Sequence, residues 1–273
     1  RTNHDYIYIA VGAPEDKKMN IPGEESPGVY NALELLAEVR TKSSLNLGRS
    51  AAVIGGGDSA VDAARTARRL VGENGQVTLI YRRTKKEMPA NHEELTELIR
   101  ENVHILELAS PLKVERRSNK LKLTLQKMSL GQVDASGRRR PVPIPGSEFT
   151  IVIDSLISAI GQNVVLDFLD DPQKVIGPSP QRTKWPNVFI GGDAMRGPAT
   201  IITAIADGKR AANMIIAEAN IHVDQSQTKP HIPIPPSAQQ VKMATRIYGP
   251  IEKETATTYL DFSVHSNAMS EEA

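Results

Sequence analysis

VIGGGDSAVDAARTARRL, residues 53–70, is the stretch on which the fold turns. Gly55-Gly-Gly57-Asp58-Ser59-Ala60 fits the spacing G-x-G-x-x-[GA], and it stands where that spacing has a mechanical meaning. Residues 50–54 before it read as a strand and residues 58–70 after it as a helix. Gly55 permits the tight turn, Gly57 lets backbone N–H groups approach a pyrophosphate, and Ala60 lets the helix lie close on the strand. Ser59 belongs to the same helix start, whose partial positive charge faces such an anion. Ala60, Ala63, Ala64 and Ala67 extend the flat face. Asp58 fits less easily, because a carboxylate beside a phosphate is repulsive. Capping the helix and facing the ribose are the two roles open to it. The plain alternative for the whole stretch is a glycine-rich turn with no ligand.

Outward from the loop the pattern alternates. Residues 76–81 read as a second strand, 91–101 as an amphipathic helix and 104–108 as a third strand. The order β-α-β-α-β produces a parallel sheet with crossover helices, an α/β architecture. LKVERRSNKLKLTLQKMSL then alternates on both sides of Ser118-Asn119, as a hairpin does. Residues 138–145, basic and proline-rich, read as a solvated loop. Residues 187–190 read as a strand, Gly191-Gly192-Asp193 as a turn and 200–219 as a helix. KPHIPIPPSAQQ reads as a polyproline-type linker, and the chain beyond it has no legible fold. A helix start is legible only at Ser270, ahead of Glu271 and Glu272.

A faint echo brackets the glycine loop. DYIYIAVG, closing at Gly12, and DSLISAIG, closing at Gly161, share the frame D-x-[IL]-x-x-A-x-G. Each is a β-rich run stopped by a glycine, a strand entering a tight turn.

The end of the second strand selects the nucleotide. An NAD site places an acidic residue there, about 20 residues beyond the glycines, to bind the ribose hydroxyls. Here QVTLIY runs into Arg82-Arg83-Thr84-Lys85-Lys86. Guanidinium groups grip a 2′-phosphate through planar, charge-assisted hydrogen bonds, so Arg82 and Arg83 favour NADPH over NADH. The bland alternative is a basic surface turn.

Composition narrows the classes. The 273 residues carry a net charge of +1 and no cysteine, which argues against a general polyanion binder and leaves no disulfide, thiolate metal site or thiol redox pair. No run of about 18 apolar residues marks a membrane span. A soluble, cytoplasmic protein is therefore expected. His4, His92, His104, His222, His231 and His265 have no metal-ligand spacing and no nucleophile partner, so no catalytic residue and no metal ligand is assigned.

VIGGGDSAVDAARTARRL followed by VTLIYRRTKKEMPA resembles the NADPH-dependent flavoprotein family typified by the glutamate synthase small subunit. That family is also similar to the reductase part of dihydropyrimidine dehydrogenase and to the NADPH-oxidising subunit of ferredoxin-NADP transhydrogenases. DYIYIAVGA with IPGEESPGVYNALELL resembles the segment leaving the family's FAD domain, and WPNVFIGGDAMRGPATIITAIADGKRAANMI the segment returning to it.

The resemblance implies two dinucleotide-binding domains, the NADPH domain inserted in the FAD domain. Residues 1–40 would be FAD-domain segment and crossover, 41–153 the NADPH domain, 154–221 the returning segment, and 222–273 linker and irregular tail. Gly12 and Gly161 would mark the crossings, with Gly161 among the cofactor-contacting positions. Asp193, after Gly192, would bind the flavin ribityl or phosphate region. The backbone at Thr200 and Ile201 would face the pyrimidine edge of the flavin, where a helix N-terminus stabilises negative charge.

The family's first glycine fingerprint is not found before residue 53, so the chain is expected to be a fragment with an incomplete FAD site, inactive alone and binding flavin weakly. Similar multidomain proteins continue into an iron–sulfur module. The implied chemistry is hydride transfer from NADPH to FAD and electron delivery to a partner subunit or domain, with no nucleic acid involved. The rival from another class is a non-catalytic NADPH-binding or scaffold module.

Overall fold

The computed structural model describes residues 4–41, 45–169, 177 and 180–222. The chain divides into two compact units, Arg1–Ala217 and Glu218–Ala273. The linker and helix start read after residue 222 lie outside the described residues.

Two short strands open the first unit, β1 (Ile7–Ile9) and β2 (Glu15–Asp16), then β3 (Val29–Asn31) and helix α1 (Ala32–Thr41). The glycine-loop region follows: β4 (Ser50–Gly55), α2 (Asp58–Leu70), β5 (Gln76–Tyr81), a 3-10 turn (Lys85–Glu87), α3 (His92–Arg100) and β6 (His104–Glu107). Three long strands come next: β7 (Ala109–Arg117), β8 (Lys120–Val133) and β9 (Arg139–Ile153). The chain continues through β10 (Ser155–Ala159), β11 (Gln162–Asn163), β12 (Val188–Ile190), α4 (Asp193–Arg196) and α5 (Ile201–Glu218).

Five strands form one sheet in the order β3-β10-β4-β5-β6, every neighbouring pair parallel. Consecutive residues of a strand point to opposite faces, and the sequence fills both. Val53, Leu79 and Ile157 pack with the small-residue face of α2 and with Leu95 and Leu98 of α3. Ile54, Ile80 and Leu156 pack on the other side against Leu121, Leu123, Leu125 and Ile153. Those last belong to the antiparallel meander β7-β8-β9, so helices cover one face of the parallel sheet and a second sheet covers the other. Each fully buried leucine contributes about 1.5–3 kcal/mol by leaving water.

Asp154 locks the junction of the two sheets. Its carboxylate accepts the amides of Arg49 at 2.9 Å and Ser50 at 3.0 Å, the Ser50 hydroxyl at 2.9 Å, and pairs with Lys120 at 2.5 Å.

Ser118, with φ +54, turns β7 into β8 where the hairpin is expected. Residues 138–145, read as a solvated loop, fall almost wholly within β9. Pro141 and Pro143 stand two apart in the ladder with β8, which puts their missing N–H groups on one side of the strand, and Pro145 falls in the register shift between Pro143 and Glu148. An edge strand tolerates this, because its outer side has no ladder to donate to, and β9 is an edge.

The two bracketing runs share a local design and not a sheet. β1 pairs in parallel with β12, whereas β10 is the second strand of the five-stranded sheet. Both runs stop at a glycine of positive φ, +71 at Gly12 and +114 at Gly161. Immediately beyond, β2 and β11 pair antiparallel, and Lys17 N–H donates to the Gly161 carbonyl at 2.9 Å. Asp16 ties this ribbon to α1 by accepting the Leu33 amide at 3.0 Å. The parallel sheet thus draws β3 and β10 from outside residues 41–153.

Candidate functional site

The glycine loop is built by close approach. A Cβ on Gly55 would stand 2.3 Å from the Ala159 carbonyl oxygen and 2.7 Å from Ala60 Cβ, so β4, β10 and α2 meet too tightly for any side chain. Gly57 is the N-cap of α2, and a Cβ there would meet only Pro89 Cγ, at 3.9 Å. No side chain caps this helix. The Gly57 carbonyl accepts the amides of Ala60 and Val61, while those of Asp58 and Ser59 have no acceptor among the described residues. Two free donors at the positive end of a 13-residue helix, beside open space, can hold an anion.

Asp58 does not cap α2, whose N-cap is Gly57. Its Oδ1 accepts the backbone amide of Asn91 at 2.9 Å, which joins the start of α2 to the start of α3. Asn91 in turn caps α3 by accepting the Glu93 amide at 2.8 Å. The connection from β5 to α3 lies against the loop: Ala90 N–H donates to the Gly56 carbonyl at 3.2 Å, and Tyr81 Oη donates to the Glu87 carbonyl at 2.9 Å. Glu87 closes a capping box with Thr84, whose hydroxyl and amide hold the carboxyl below its usual range.

Arg82 and Arg83, read as a pair, part company. Arg82 is exposed and has no hydrogen-bond or ion-pair partner among the described residues. Arg83 is 5% exposed; its Nε donates to the Arg139 carbonyl at 2.7 Å and its Nη2 to the Asp134 carboxylate at 2.6 Å.

The second cluster lies at the end of β12. A Cβ on Gly191 would stand 2.1 Å from Tyr8 Oη, so this glycine admits the tyrosine of β1. Gly192, at φ +61, caps the short helix α4. Asp193 faces back along its own loop, its Oδ1 accepting the Ala199 amide at 3.0 Å. Thr200 precedes α5 and its hydroxyl accepts the Thr203 amide at 3.3 Å, while Ile201 is 79% exposed. Gly161 immediately precedes β11, where its carbonyl accepts the Lys17 amide at 2.9 Å.

Sequence reasoning missed Asp207. It is fully buried on α5, accepts the Gly192 amide at 3.0 Å, Gln181 Nε2 at 2.9 Å, Arg196 Nη2 at 2.6 Å and Arg210 Nη1 at 3.1 Å. The legible signal was an acid between Ala206 and Gly208 on a face of small residues. With the burial of Tyr8 itself, Asp207 raises the Tyr8 phenol above its ordinary pKa. Among the described residues no cluster of histidine, aspartate and glutamate has the makings of a metal site, and no helix is long and apolar enough to cross a membrane.

The family described as pyridine nucleotide-disulphide oxidoreductase matches residues 1–208. The chain is 36% identical over 221 residues to the NADP(+)-dependent formate dehydrogenase subunit beta of Moorella thermoacetica, covering 77% of this chain and 31% of that one. It is 31% identical to the glutamate synthase [NADPH] small chain of Escherichia coli, covering 79% and 50%. The chain therefore spans half or less of these relatives. Among solved structures it is similar to Mycobacterium tuberculosis FprA in complex with NADPH, at a TM-score of 0.67 and 19% identity over 90% of this chain and 69% of that one. That likeness bears out the fold class, the α/β fold of flavoproteins with two dinucleotide-binding domains.

Proposed function

The chain belongs to the pyridine nucleotide-disulphide oxidoreductase family, and we propose that it takes electrons from NADPH, passes them to FAD and delivers them to a partner subunit or domain. The observation that carries this reading is the start of α2, where Gly57 leaves open space and the amides of Asp58 and Ser59 lack acceptors among the described residues. These residues fit a dinucleotide pyrophosphate, with Gly55 and Ala60 keeping the helix close beneath it. Arg82, exposed just beyond β5, fits the 2′-phosphate that separates NADPH from NADH.

The FAD assignment rests on the second cluster. Gly192 and Asp193 would lie along the ribityl and phosphate region. The 18-residue α5 would present its N-terminus, at Thr200 and Ile201, to the pyrimidine edge. We read residues 29–159 as the NADPH domain, with the β2/β11 ribbon and the positive-φ glycines Gly12 and Gly161 at the passages to the FAD domain. When bound, the cofactors supply a hydride route from the nicotinamide to the flavin. The chain's own residues bind, orient and exclude water: the glycine loop holds one end, Arg82 the other, and α5 places positive potential where charge collects. With no cysteine, its 273 residues bring no thiol to the disulphide chemistry named in the family description.

The test is to add NADPH or NADH, without oxygen, to the natural protein that carries this chain and follow flavin absorbance. Loss of the oxidised flavin band with NADPH, at least about tenfold faster than with NADH, supports the proposal. Nucleotide binding with the flavin left oxidised favours a non-catalytic binding module instead.

A further inference from the structure

The two arginines that follow β5 differ in their surroundings. Arg82 is exposed and unpartnered among the described residues. Arg83 is buried, and its charge is already matched by Asp134 at 2.6 Å. Asp134 is held in turn by the tight turn joining β8 to β9. Its amide donates to the Arg138 carbonyl at 2.8 Å, and its Oδ1 accepts the Ser136 amide at 2.9 Å and hydroxyl at 2.5 Å. The Gly137 amide closes the same turn on the Asp134 carbonyl at 2.9 Å. Arg83 Nε is taken by the Arg139 carbonyl at 2.7 Å, so the turn grips the guanidinium from two sides. These bonds, led by those from Ser136, hold the Asp134 carboxyl at about 2, so it stays anionic near neutrality.

The geometry points to Asp134 as a specificity-determining residue: a built-in carboxylate that occupies Arg83 and leaves Arg82 to meet the 2′-phosphate. This rests on the reading that the adenosine end of NADPH lies beyond β5. A carboxylate and a phosphate compete for the same planar donors, and a buried guanidinium that loses its partner seeks another anion. Asp134 therefore holds the preference for the phosphorylated coenzyme below what two free arginines give, and does so from a hairpin that follows β6.

The experiment is calorimetric titration of adenosine 2′,5′-bisphosphate, with AMP as the ligand lacking the 2′-phosphate. The proteins are the natural protein, Arg82→Gln, Asp134→Asn and the double variant Arg83→Gln/Asp134→Asn, which removes both charges and leaves neither buried alone. Arg82→Gln is expected to weaken the bisphosphate at least about tenfold and leave AMP unchanged. Asp134→Asn is expected to tighten the bisphosphate at least about threefold, again with AMP unchanged, because it frees a cation and keeps the shape. The double variant is expected to stay within about threefold of the natural protein. A purely structural Asp134 has no means of tightening one ligand and not the other. Unchanged or weaker bisphosphate binding in Asp134→Asn overturns the inference, as does a loss in the double variant equal to that of Arg82→Gln. If the natural protein binds the bisphosphate no better than AMP, the coenzyme assignment itself fails and the inference falls with it.

Discussion

Tyr81 lies across Gly56: a Cβ on Gly56 would stand 2.4 Å from Tyr81 Cε2 and 2.5 Å from Cδ2. The middle glycine of the loop is therefore required by the ring at the end of the neighbouring strand, quite apart from any ligand. Gly56→Ala is expected to destabilise the protein by about 1–3 kcal/mol, the usual cost of forcing an extra group into a packed site. Tyr81→Leu added to that variant should recover part of the loss. Denaturant unfolding of the single and double variants checks this, and equal stability of Gly56→Ala and the natural protein would sink it.

Asp58 joins two helix starts through the Asn91 amide at 2.9 Å. Asp58→Ala removes that acceptor and is expected to cost about 1 kcal/mol, whereas Asp58→Asn keeps an acceptor and should cost less. Faster amide exchange at Asn91 in the alanine variant alone is the accompanying signature.

Asp207 is the anchor beneath the second cluster. Asp207→Ala leaves Arg196 and Arg210 without their shared carboxylate and the Gly192 amide without its acceptor. Removing one member of a buried pair costs about 3–5 kcal/mol, and here the lower end applies because both arginines reach solvent. Thermal unfolding measures it. A loss well under 1 kcal/mol would show that the cluster does not depend on the carboxylate.

Acid sensitivity should trace to Asp154. Burial pushes its carboxyl up, but Lys120, the amides of Arg49 and Ser50 and the Ser50 hydroxyl more than offset this and hold it at about 2, against an ordinary 3.8. A folded-state value below the unfolded one contributes stability above the unfolded value. That contribution is lost as pH falls from 3.8 through about 2. Asp154→Asn should lower stability at neutral pH and flatten its decline across that window. A decline as steep as in the natural protein would remove Asp154 from the account. Asp134, also held at about 2, and Glu87, held below its usual range, contribute slope of the same sign.

Much of the fold was legible because the parallel strands and α2 obey clean periods. The helix read at 58–70 and the strand read at 76–81 match the structure at both ends. β9 was not legible, because proline normally argues against a strand and only the edge position excuses it. The glycine loop was legible as a shape, since Gly55 follows from steric need and Gly57 leaves open space at the start of α2. The division of labour between Arg82 and Arg83 was not. Asp134 lies 51 residues along the chain from Arg83, and no local pattern announces that pairing. Asp207 escaped for a similar reason, since its partners come from α4, from Gln181 and from its own helix.

The most direct test of the dinucleotide site is amide-resolved NMR of the chain titrated with NADPH. The expected result is saturable shifts centred on Gly57, Asp58, Ser59 and Arg82, absent or much weaker with NADH. Saturable shifts that leave those four amides untouched and gather elsewhere would contradict the site.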